Sequence, residues 1–563
     1  MIKKTCSVHR RKGKKKTKHI FFTNATYDKL LVEFKVMTKQ SAVYEIFLTI
    51  LWIISVYKSW ICKHLLIIFR REKRKEYLDI ERLAQSIREC EKGRQIKILR
   101  NKRNSPSNSI RRSVSSSSTK HFVNVGEANQ ILSIDRSSKT VKCEPGVTME
   151  QLIDELASYH LIPAVVPEFK SLTVGGVLSG AGLESSSFRY GQFGDLLIEA
   201  TYILSNGQII ICSPTENSDL FYGALSSCGT FGLLVHATLR LIEIKSDCCF
   251  VRCNYFRTNQ PIDYLSSICE KDYMDAIVFS EYTVVITGER IDRQDLPRSG
   301  KIQTFSKPWD PWYYEHVKRM HKKDNSTIIT EYVPLKDYLF RYDRGAFWMG
   351  NYLLNPFEDK IQYFPLRIRN LLKFLPFGGY NIISRTFLSL LCTTSSLYKR
   401  LHASSISIIQ DTLLIQDIYI PKDKANEFLS FIQSKQLFTE KSNVLDPIWL
   451  CPIRATNTLQ KLSPHFLNSN TKTGDADDSF FINFGLWSHQ PNWQPKSSYA
   501  KNSTKLLERK AMDLGGRKML YSLSYYSRKD WSDIYDIQWY EQMKQKWDPD
   551  YTWGDLYDKI SLS

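Results

Sequence analysis

The sequence predicts an α+β protein in which two folded domains follow an N-terminal appendage. Three observations support this fold class. The chain has 563 residues, enough for two sizeable cores. Short β-branched runs alternate with polar or glycine-containing turns and with helical patterns, as in antiparallel sheets packed against helices. An apolar stretch at residues 42–69 stands between basic clusters, apart from the rest of the chain.

Two hairpins and a helix are predicted in the first half of the chain. Residues 131–134 and 140–143 are apolar runs on either side of a polar turn, which is typical of a hairpin. A second hairpin is predicted at Asn206-Gly207, and both turn residues are expected to take positive φ. Between the hairpins, a capping-box pattern at Thr148 predicts the start of a helix.

The most informative stretch is residues 167–242, which carries several glycine turns. The run Thr173-Val174-Gly175-Gly176-Val177-Leu178-Ser179-Gly180-Ala181-Gly182 has four glycines within eight residues. A turn without Cβ atoms lets backbone N–H groups come close to an anionic ligand such as a phosphate. No GxGxxG follows a first strand with an acid about 20 residues later, which argues against a Rossmann domain.

These residues and the motifs around them resemble a known flavoprotein family. The glycine run continues as Glu184-Ser185-Ser186-Ser187 and Arg189-Tyr190-Gly191, and later come Pro214-Thr215-Glu216-Asn217-Ser218-Asp219-Leu220-Phe221-Tyr222 and Gly229-Thr230-Phe231-Gly232. This order resembles the FAD-binding domain of the PCMH-type (vanillyl-alcohol oxidase) flavoproteins, in the delta-24 sterol reductase (diminuto/seladin) branch. The likeness extends to Lys307-Pro308-Trp309, Glu331-Tyr332-Val333-Pro334-Leu335 and Pro447-Ile448-Trp449-Leu450-Cys451-Pro452, so it covers most of the chain after about residue 73.

The resemblance implies a domain organisation. A two-subdomain PCMH-type FAD-binding domain is expected at residues 98–245, followed by a mixed α/β substrate or cap domain at 246–563. Before them we expect a basic tail at residues 1–41, a membrane-anchor helix at 42–69 and a linker helix within 70–97.

The resemblance also implies where the cofactor binds. The residues expected at the pyrophosphate and the flavin ring are Thr173, Gly175, Gly176, Gly180, Gly182, Ser185, Ser186, Gly191, Gly229 and Gly232. Residues 94–125 hold no glycine and, before His121, no histidine, although relatives have their first pyrophosphate turn there and some attach the flavin to a histidine. FAD is therefore expected to be bound noncovalently.

The implied reaction is the reduction of a sterol side-chain double bond. NADPH would pass hydride to FAD, the flavin would deliver it to the alkene, and an acid would supply a proton. Tyr526 and Arg344 are candidates for the acid and a charge anchor, and the proton donor stays unassigned. Two alternatives remain open: an FAD-dependent oxidase, and a catalytically degenerate membrane-anchored binding protein. NADH as donor and the oligomeric state also stay open.

The charge distribution indicates a membrane rather than a nucleic acid as partner. Residues 1–120 hold 30 Lys and Arg against 9 Asp and Glu, whereas the rest of the chain holds 48 against 49. Basic clusters beside an apolar run favour anionic lipid, with residues 42–69 as a single span or an interfacial helix whose Lys58 reaches the surface. The resemblance implies the endoplasmic reticulum membrane, with the catalytic body in the cytosol.

Cysteine and histidine usage points away from metal chemistry. The twelve cysteines include no CxxC pair, and the eleven histidines include no HExxH. We therefore expect no metal site and no disulfide framework, which agrees with a reducing compartment.

Overall fold

The computed structural model describes residues 77–99, 120–245, 249–267, 270–320, 328–354, 380–403, 413–434, 445–456, 458–467, 480–489 and 499–561. All of them belong to one compact unit that begins at Arg70. The predicted basic tail (1–41) and membrane anchor (42–69) lie outside the described residues. Within the described ranges, no helix combines the length and apolar character that a membrane crossing requires.

The first large sheet is built from the middle of the chain and is antiparallel. Its order is β3-β4-β8-β6-β7, and β5 pairs with β8. The strands are β3 (Ile131–Asp135), β4 (Thr140–Cys143), β5 (Leu161–Pro163), β6 (Leu197–Ile203), β7 (Ile209–Cys212) and β8 (Leu233–Glu243). A separate parallel pair consists of β1 (Gln95–Leu99) and β2 (Lys120–Asn124).

Both predicted hairpins are confirmed, one with a correction. β3 pairs with β4, and β6 pairs with β7 across the Asn206-Gly207 turn. Gly207 has φ +76°, but Asn206 is not among the residues with positive φ. The reason is that the turn is longer than two residues: the N–H of Leu204 donates to the carbonyl of Gln208 at 2.9 Å, so only Gly207 must take the left-handed conformation.

The second sheet has eight antiparallel strands, in the order β12-β9-β11-β10-β14-β15-β13-β16. The strands are β9 (Phe250–Thr258), β10 (Tyr273–Val278), β11 (Thr283–Ile291), β12 (Ile329–Pro334), β13 (Leu413–Pro421), β14 (Ile448–Arg454), β15 (Phe480–His489) and β16 (Arg517–Lys518). The first sheet ends with Glu243, and the second begins with Phe250. The two antiparallel sheets with their helices confirm the α+β class.

Short helices connect and cover the strands. They are Ile80–Arg88, Met149–Ala157, Val174–Gly180, Ser187–Tyr190, Ser218–Gly223, Pro261–Leu265, Tyr313–Met320, Leu335–Leu339, Met349–Leu354, Ile382–Phe387, Thr394–Ala403, Ala425–Gln433, Tyr499–Asp513, Arg528–Ile534, Ile537–Trp547 and Leu556–Ile560. The helix predicted at Thr148 is confirmed, because the Thr148 side chain accepts from the N–H of Gln151 at 3.2 Å. Likewise, Asp79 caps the helix in the predicted linker.

Two apolar clusters stabilise these layers. The larger one packs the helices Ala425–Gln433 and Tyr499–Asp513 against the second sheet, with Phe428, Leu507 and Phe484 completely buried. The smaller one joins the linker helix to the first sheet and also includes Trp553 from near the C-terminus. Burying such side chains contributes roughly 1.5–3 kcal/mol each, which holds the terminal segment against the first sheet.

The C-terminal segment therefore returns to the part of the chain that was predicted to form the cofactor domain. The ammonium of Lys544, which is buried, donates to the carbonyl of Thr230 at 2.9 Å and pairs with Asp548 at 2.6 Å. The N–H of Ile96 in β1 donates to the carbonyl of Thr552 at 2.8 Å. Residues more than 300 positions apart in the chain are thus in direct contact.

Candidate functional site

A cavity of about 1070 Å³ runs along the glycine turns and reaches the second sheet. Seven of the ten predicted cofactor residues line it: Thr173, Gly175, Gly176, Gly180, Gly182, Gly229 and Gly232. The volume is at or above the upper end for small-molecule sites. The cavity therefore has room for an extended ligand such as a dinucleotide.

The first glycine turn begins a helix rather than staying a loop. The N–H of Gly175 donates to the carbonyl of Pro145 at 2.8 Å, and the N–H of Gly176 donates to the Thr173 hydroxyl at 3.2 Å. These two amides are therefore already used within the protein, contrary to the expectation that they approach a ligand. Close packing explains the first glycine, since a Cβ on Gly175 would lie 2.5 Å from Pro145 Cβ.

The other glycines differ in what surrounds them. A Cβ on Gly182 would lie 2.4 Å from Val177 Cγ1 and 2.9 Å from Pro167 Cγ, whereas a Cβ on Gly180 meets nothing within 4 Å. Gly229 has φ +68° and open space around its Cβ position. Gly180 and Gly229 thus leave room in the cavity, and Gly182 serves the packing of its wall.

Three predicted cofactor residues lie away from the cavity lining. The hydroxyl of Ser185 is 3.1 Å from the Tyr338 hydroxyl, and the hydroxyl of Ser186 donates to the carbonyl of Ala164 at 2.8 Å. Both serines are buried. Gly191 has φ +74° and packs against Asp195, whose carboxylate would be 2.3 Å from an added Cβ. In the structure, these three residues therefore contact other parts of the protein and not the cavity.

The two candidates for catalysis also lie elsewhere. The guanidinium of Arg344 donates to the carbonyls of Pro308 and Asp310 at 2.7 and 2.9 Å and so stabilises the loop at residues 308–310. Tyr526 is buried near Lys518, whose ammonium lies 6.0 Å from its ring centroid. Neither side chain lines the cavity. The geometry gives both a role in packing.

Several cavity residues were missed because they come from distant or inconspicuous parts of the sequence. They are Gln95–Ile98 in β1, Pro145 and Gly146, and the terminal-segment residues Trp553, Gly554, Asp555, Asp558, Lys559, Ile560 and Ser561. For Gly146 the only signal in the sequence was the glycine itself; the structure shows that a Cβ there would lie 2.2 Å from the carbonyl oxygen of Glu127. The terminal segment carried none, because only the tertiary contacts bring Lys559 to the Gly229 turn. Its ammonium donates to the carbonyls of Cys228 and Gly229 at 3.3 and 3.2 Å.

Aromatic side chains of the second sheet and of the helix Thr394–Ala403 form another part of the wall. Trp449, Trp487 and Tyr398 line the cavity. The ring of Trp487 stacks on Phe347 with centroids 4.1 Å apart, and the indole N–H of Trp449 donates to Asp275 at 2.9 Å. These contacts fix the rings in place, so this wall is apolar and rigid.

Two acidic side chains stand among these rings. Asp417 Oδ1 accepts from the amide of Asn483 at 2.9 Å, and Oδ2 accepts from the Tyr521 hydroxyl. Burial raises the pKa of Asp417 to about 6 despite these bonds. Burial, and then the charge of Glu184, raises the pKa of Glu168 well above its usual range. Both acids line the cavity, so it combines an apolar wall with protonatable groups.

A buried ionic cluster lies behind the wall. The guanidinium of Arg341 is 2.7 Å from Glu184 Oε1 and 3.0 Å from Asp275 Oδ2, and all three side chains are fully buried. Burial disfavours the charged form of Arg341, but Glu184, Tyr338 and Asp275 together outweigh it, so the pKa of Arg341 is raised. The cluster links the motif after the first glycine turn to β10, where Asp275 also accepts the indole N–H of Trp449.

Comparison with known proteins identifies the class first. Residues 79–213 match the family model of the FAD binding domain. The prediction that the chain contains an FAD-binding domain is therefore confirmed. A rice (Oryza sativa subsp. japonica) protein, cytokinin dehydrogenase 9, is 29% identical over 187 residues, which are 30% of this chain and 36% of that protein.

The longer similarities are more specific. The chain is 27% identical over 442 residues to the delta(24)-sterol reductases of Homo sapiens and Macaca fascicularis, a span that covers 76% of each chain. The Arabidopsis thaliana delta(24)-sterol reductase is 26% identical over 472 residues, which are 80% of this chain and 78% of the plant protein. The predicted resemblance to delta(24)-sterol reductases is thus confirmed.

The residues at the cavity fit FAD. The open positions at Gly180 and Gly229 leave space along the wall, and apolar rings are available for a flat heterocycle. His121, the histidine within the glycine-free segment, has its Nε2 2.8 Å from the carbonyl oxygen of Ser86. This contact engages the His121 ring with the linker helix, in keeping with noncovalent binding.

Proposed function

We propose that this protein is an FAD-dependent delta-24 sterol reductase. It reduces the side-chain carbon-carbon double bond of a sterol with hydride from NADPH, and FAD is bound noncovalently. The observation that carries this proposal is the cavity, which joins the glycine turns of an FAD binding domain to an apolar aromatic wall. The similarity to delta(24)-sterol reductases supports the choice of substrate.

The residues of this chain have separate tasks in the reaction. The turns at Gly180 and Gly229 admit the dinucleotide, and Lys559 adds positive charge beside the second turn. When bound, FAD supplies the hydride equivalent. Trp449 and Trp487 keep water away from the reacting carbons and accommodate an apolar side chain. The cavity wall must also deliver one proton, because reduction adds a hydride and a proton across the double bond.

We further propose that the N-terminal segment binds the membrane of the endoplasmic reticulum. The charge excess of residues 1–120 and the apolar run at 42–69 support this location, with a single span or an interfacial helix and with the catalytic body in the cytosol. A sterol partitions into lipid, so an anchored enzyme meets its substrate at high local concentration.

The test uses the full chain purified in detergent and reconstituted with FAD. We expect a yellow protein that releases its FAD on denaturation, is bleached anaerobically by NADPH and regains colour with a side-chain-unsaturated sterol. The saturated sterol is the matched control and should leave the bleached protein unchanged. Peroxide formation in air at the rate of NADPH consumption would indicate the oxidase instead. A protein that stays colourless with excess FAD would indicate a degenerate binding protein.

A further inference from the structure

Glu168 occupies a distinctive place in the cavity wall. It follows Pro167, which packs on the Gly182 turn, and precedes Phe169. The Phe169 ring makes edge contacts with Phe347 at 5.6 Å and with Tyr398 at 6.5 Å, measured between centroids. One short segment thus joins the glycine turn to the aromatic wall, and Glu168 is its acidic member.

The two cavity acids differ in their hydrogen bonds. Both oxygens of Asp417 accept bonds from neighbouring side chains, Asn483 and Tyr521. Such donors favour the ionised carboxylate. Within the part of the chain that the structure describes, the carboxyl of Glu168 has no side-chain donor of this kind, and the residue is only 9% exposed. Glu168 therefore remains available to a ligand in the cavity.

We propose that Glu168 is the proton donor of the reduction, an inference that rests on the proposed function. The π pair of the double bond forms a new C–H bond with the proton of the Glu168 carboxyl, while the hydride equivalent forms the second C–H bond. The O–H bond of Glu168 breaks and leaves a carboxylate. Water then returns a proton to Glu168 before the next turnover, so the step balances with NADPH as the reductant.

The electrostatic surroundings favour the protonated form of this acid. Burial is the largest cause of its raised pKa, followed by the negative charge of Glu184, and Asp417 adds to the rise. The hydrogen bond from the backbone N–H of Glu168 and the charge of Arg341 oppose it. The charge of Glu168 in turn raises the pKa of four neighbouring groups, Tyr398, Tyr419, Cys451 and Tyr521. An isolated alkene has no carbonyl to polarise, so a neutral carboxylic acid in an apolar wall is a suitable donor.

The experiment separates the two halves of the reaction in Glu168→Gln. We expect unchanged FAD content and unchanged bleaching by NADPH, but recolouring by the sterol slowed by roughly 100-fold or more, as for the loss of a general acid. The matched control is Asp343→Asn, a buried acid that does not line the cavity, with recolouring at the wild-type rate. Recolouring of Glu168→Gln within threefold of wild type would overturn the proposal.

A second readout does not depend on turnover. The infrared spectrum of the wild type at pH 7 should contain a protonated-carboxyl band that is missing from Glu168→Gln, and a spectrum without this difference would contradict a neutral Glu168. If Glu168→Gln does not fold, Glu168→Asp takes its place, with recolouring intermediate in rate and a retained but shifted band. An unshifted band and full activity in that variant would count against Glu168.

Asp417→Asn distinguishes the two acids. Removing the negative charge of Asp417 lowers the pKa of Glu168. The pH above which the recolouring rate falls should therefore decrease, while the sterol still recolours the protein. If Asp417→Asn abolished recolouring and Glu168→Gln did not, Asp417 would be the donor and the proposal would fail. If the wild type itself were bleached by NADPH but never recoloured by sterol, the proposed function would fail. The infrared spectrum would still show whether the Glu168 carboxyl is protonated.

Discussion

The guanidinium of Arg341 lies 2.7 Å from the carboxylate of Glu184, with both side chains fully buried. Glu184 belongs to the motif that follows the first glycine turn, whereas Arg341 also reaches Asp275 in the second sheet at 3.0 Å. These contacts therefore tie the motif after the first glycine turn to the second sheet. Their energetic role follows from burial, because a buried charge that loses its partner cannot be solvated.

Arg341→Met should destabilise the protein severely. It leaves the carboxylates of Glu184 and Asp275 buried near each other without a cation, which costs about 3–5 kcal/mol of unfolding free energy. Urea denaturation of the full chain measures the loss. Arg509→Met is the control, since Arg509 is 67% exposed in its ion pair with Asp513 and should cost at most about 1 kcal/mol. Equal losses in the two variants would refute the role of the buried pair.

Substitution of Gly182 should reduce stability, whereas substitution of Gly180 should reduce FAD binding. Gly182→Ala forces a Cβ against Val177 and should lower the unfolding free energy by about 1–3 kcal/mol. Gly180→Leu meets open space, so the fold should persist, but the side chain enters the cavity and should weaken FAD binding by roughly tenfold or more. Thermal unfolding and flavin titration measure the two effects. Normal FAD affinity in Gly180→Leu would mean that the dinucleotide does not pass this turn.

Lys559→Met should weaken FAD binding without affecting the fold. The ammonium stands beside the Gly229 turn in the cavity wall, where it favours an anionic ligand. We expect roughly fivefold weaker binding, in line with the loss of one charge-assisted contact, and a smaller salt dependence of the dissociation constant. Lys546→Met, which removes a cation paired with Asp219 outside the cavity, should leave the constant unchanged.

Asp343 should make stability depend on pH in an unusual direction. Burial raises its pKa from 3.8 to about 6, so between these values the folded state binds more protons than the unfolded state. Its contribution is present below about pH 4 and is lost as the pH rises to about 6, a change of about 3 kcal/mol. Comparing wild type with Asp343→Asn over this range isolates the effect. The wild type should lose stability relative to the variant as the pH increases, and the reverse slope would contradict the assignment.

Local patterns in the sequence determined the α+β class, the hairpins, the helix at Thr148 and the glycine turns, because backbone conformation there depends on neighbouring residues. The run from Thr173 to Gly182 and the motifs after it also carried the resemblance that the comparisons confirmed. Only the tertiary structure decided which glycines face the cavity and which are needed for packing, since the neighbours of Gly175 and Gly182 come from Pro145 and Pro167.

The tertiary structure was also needed to find the side chains that could take part in the reaction. Tyr526 and Arg344 have side chains that could act as an acid and a charge anchor. In the structure, however, Tyr526 is buried away from the cavity, and the Arg344 guanidinium donates to backbone carbonyls. Glu168 and Asp417 lie 249 positions apart in the chain, and neither belongs to a recognisable catalytic motif. Their proximity to one cavity and their raised pKa values arise from desolvation and from charges brought close by folding, which spacing along the chain does not encode.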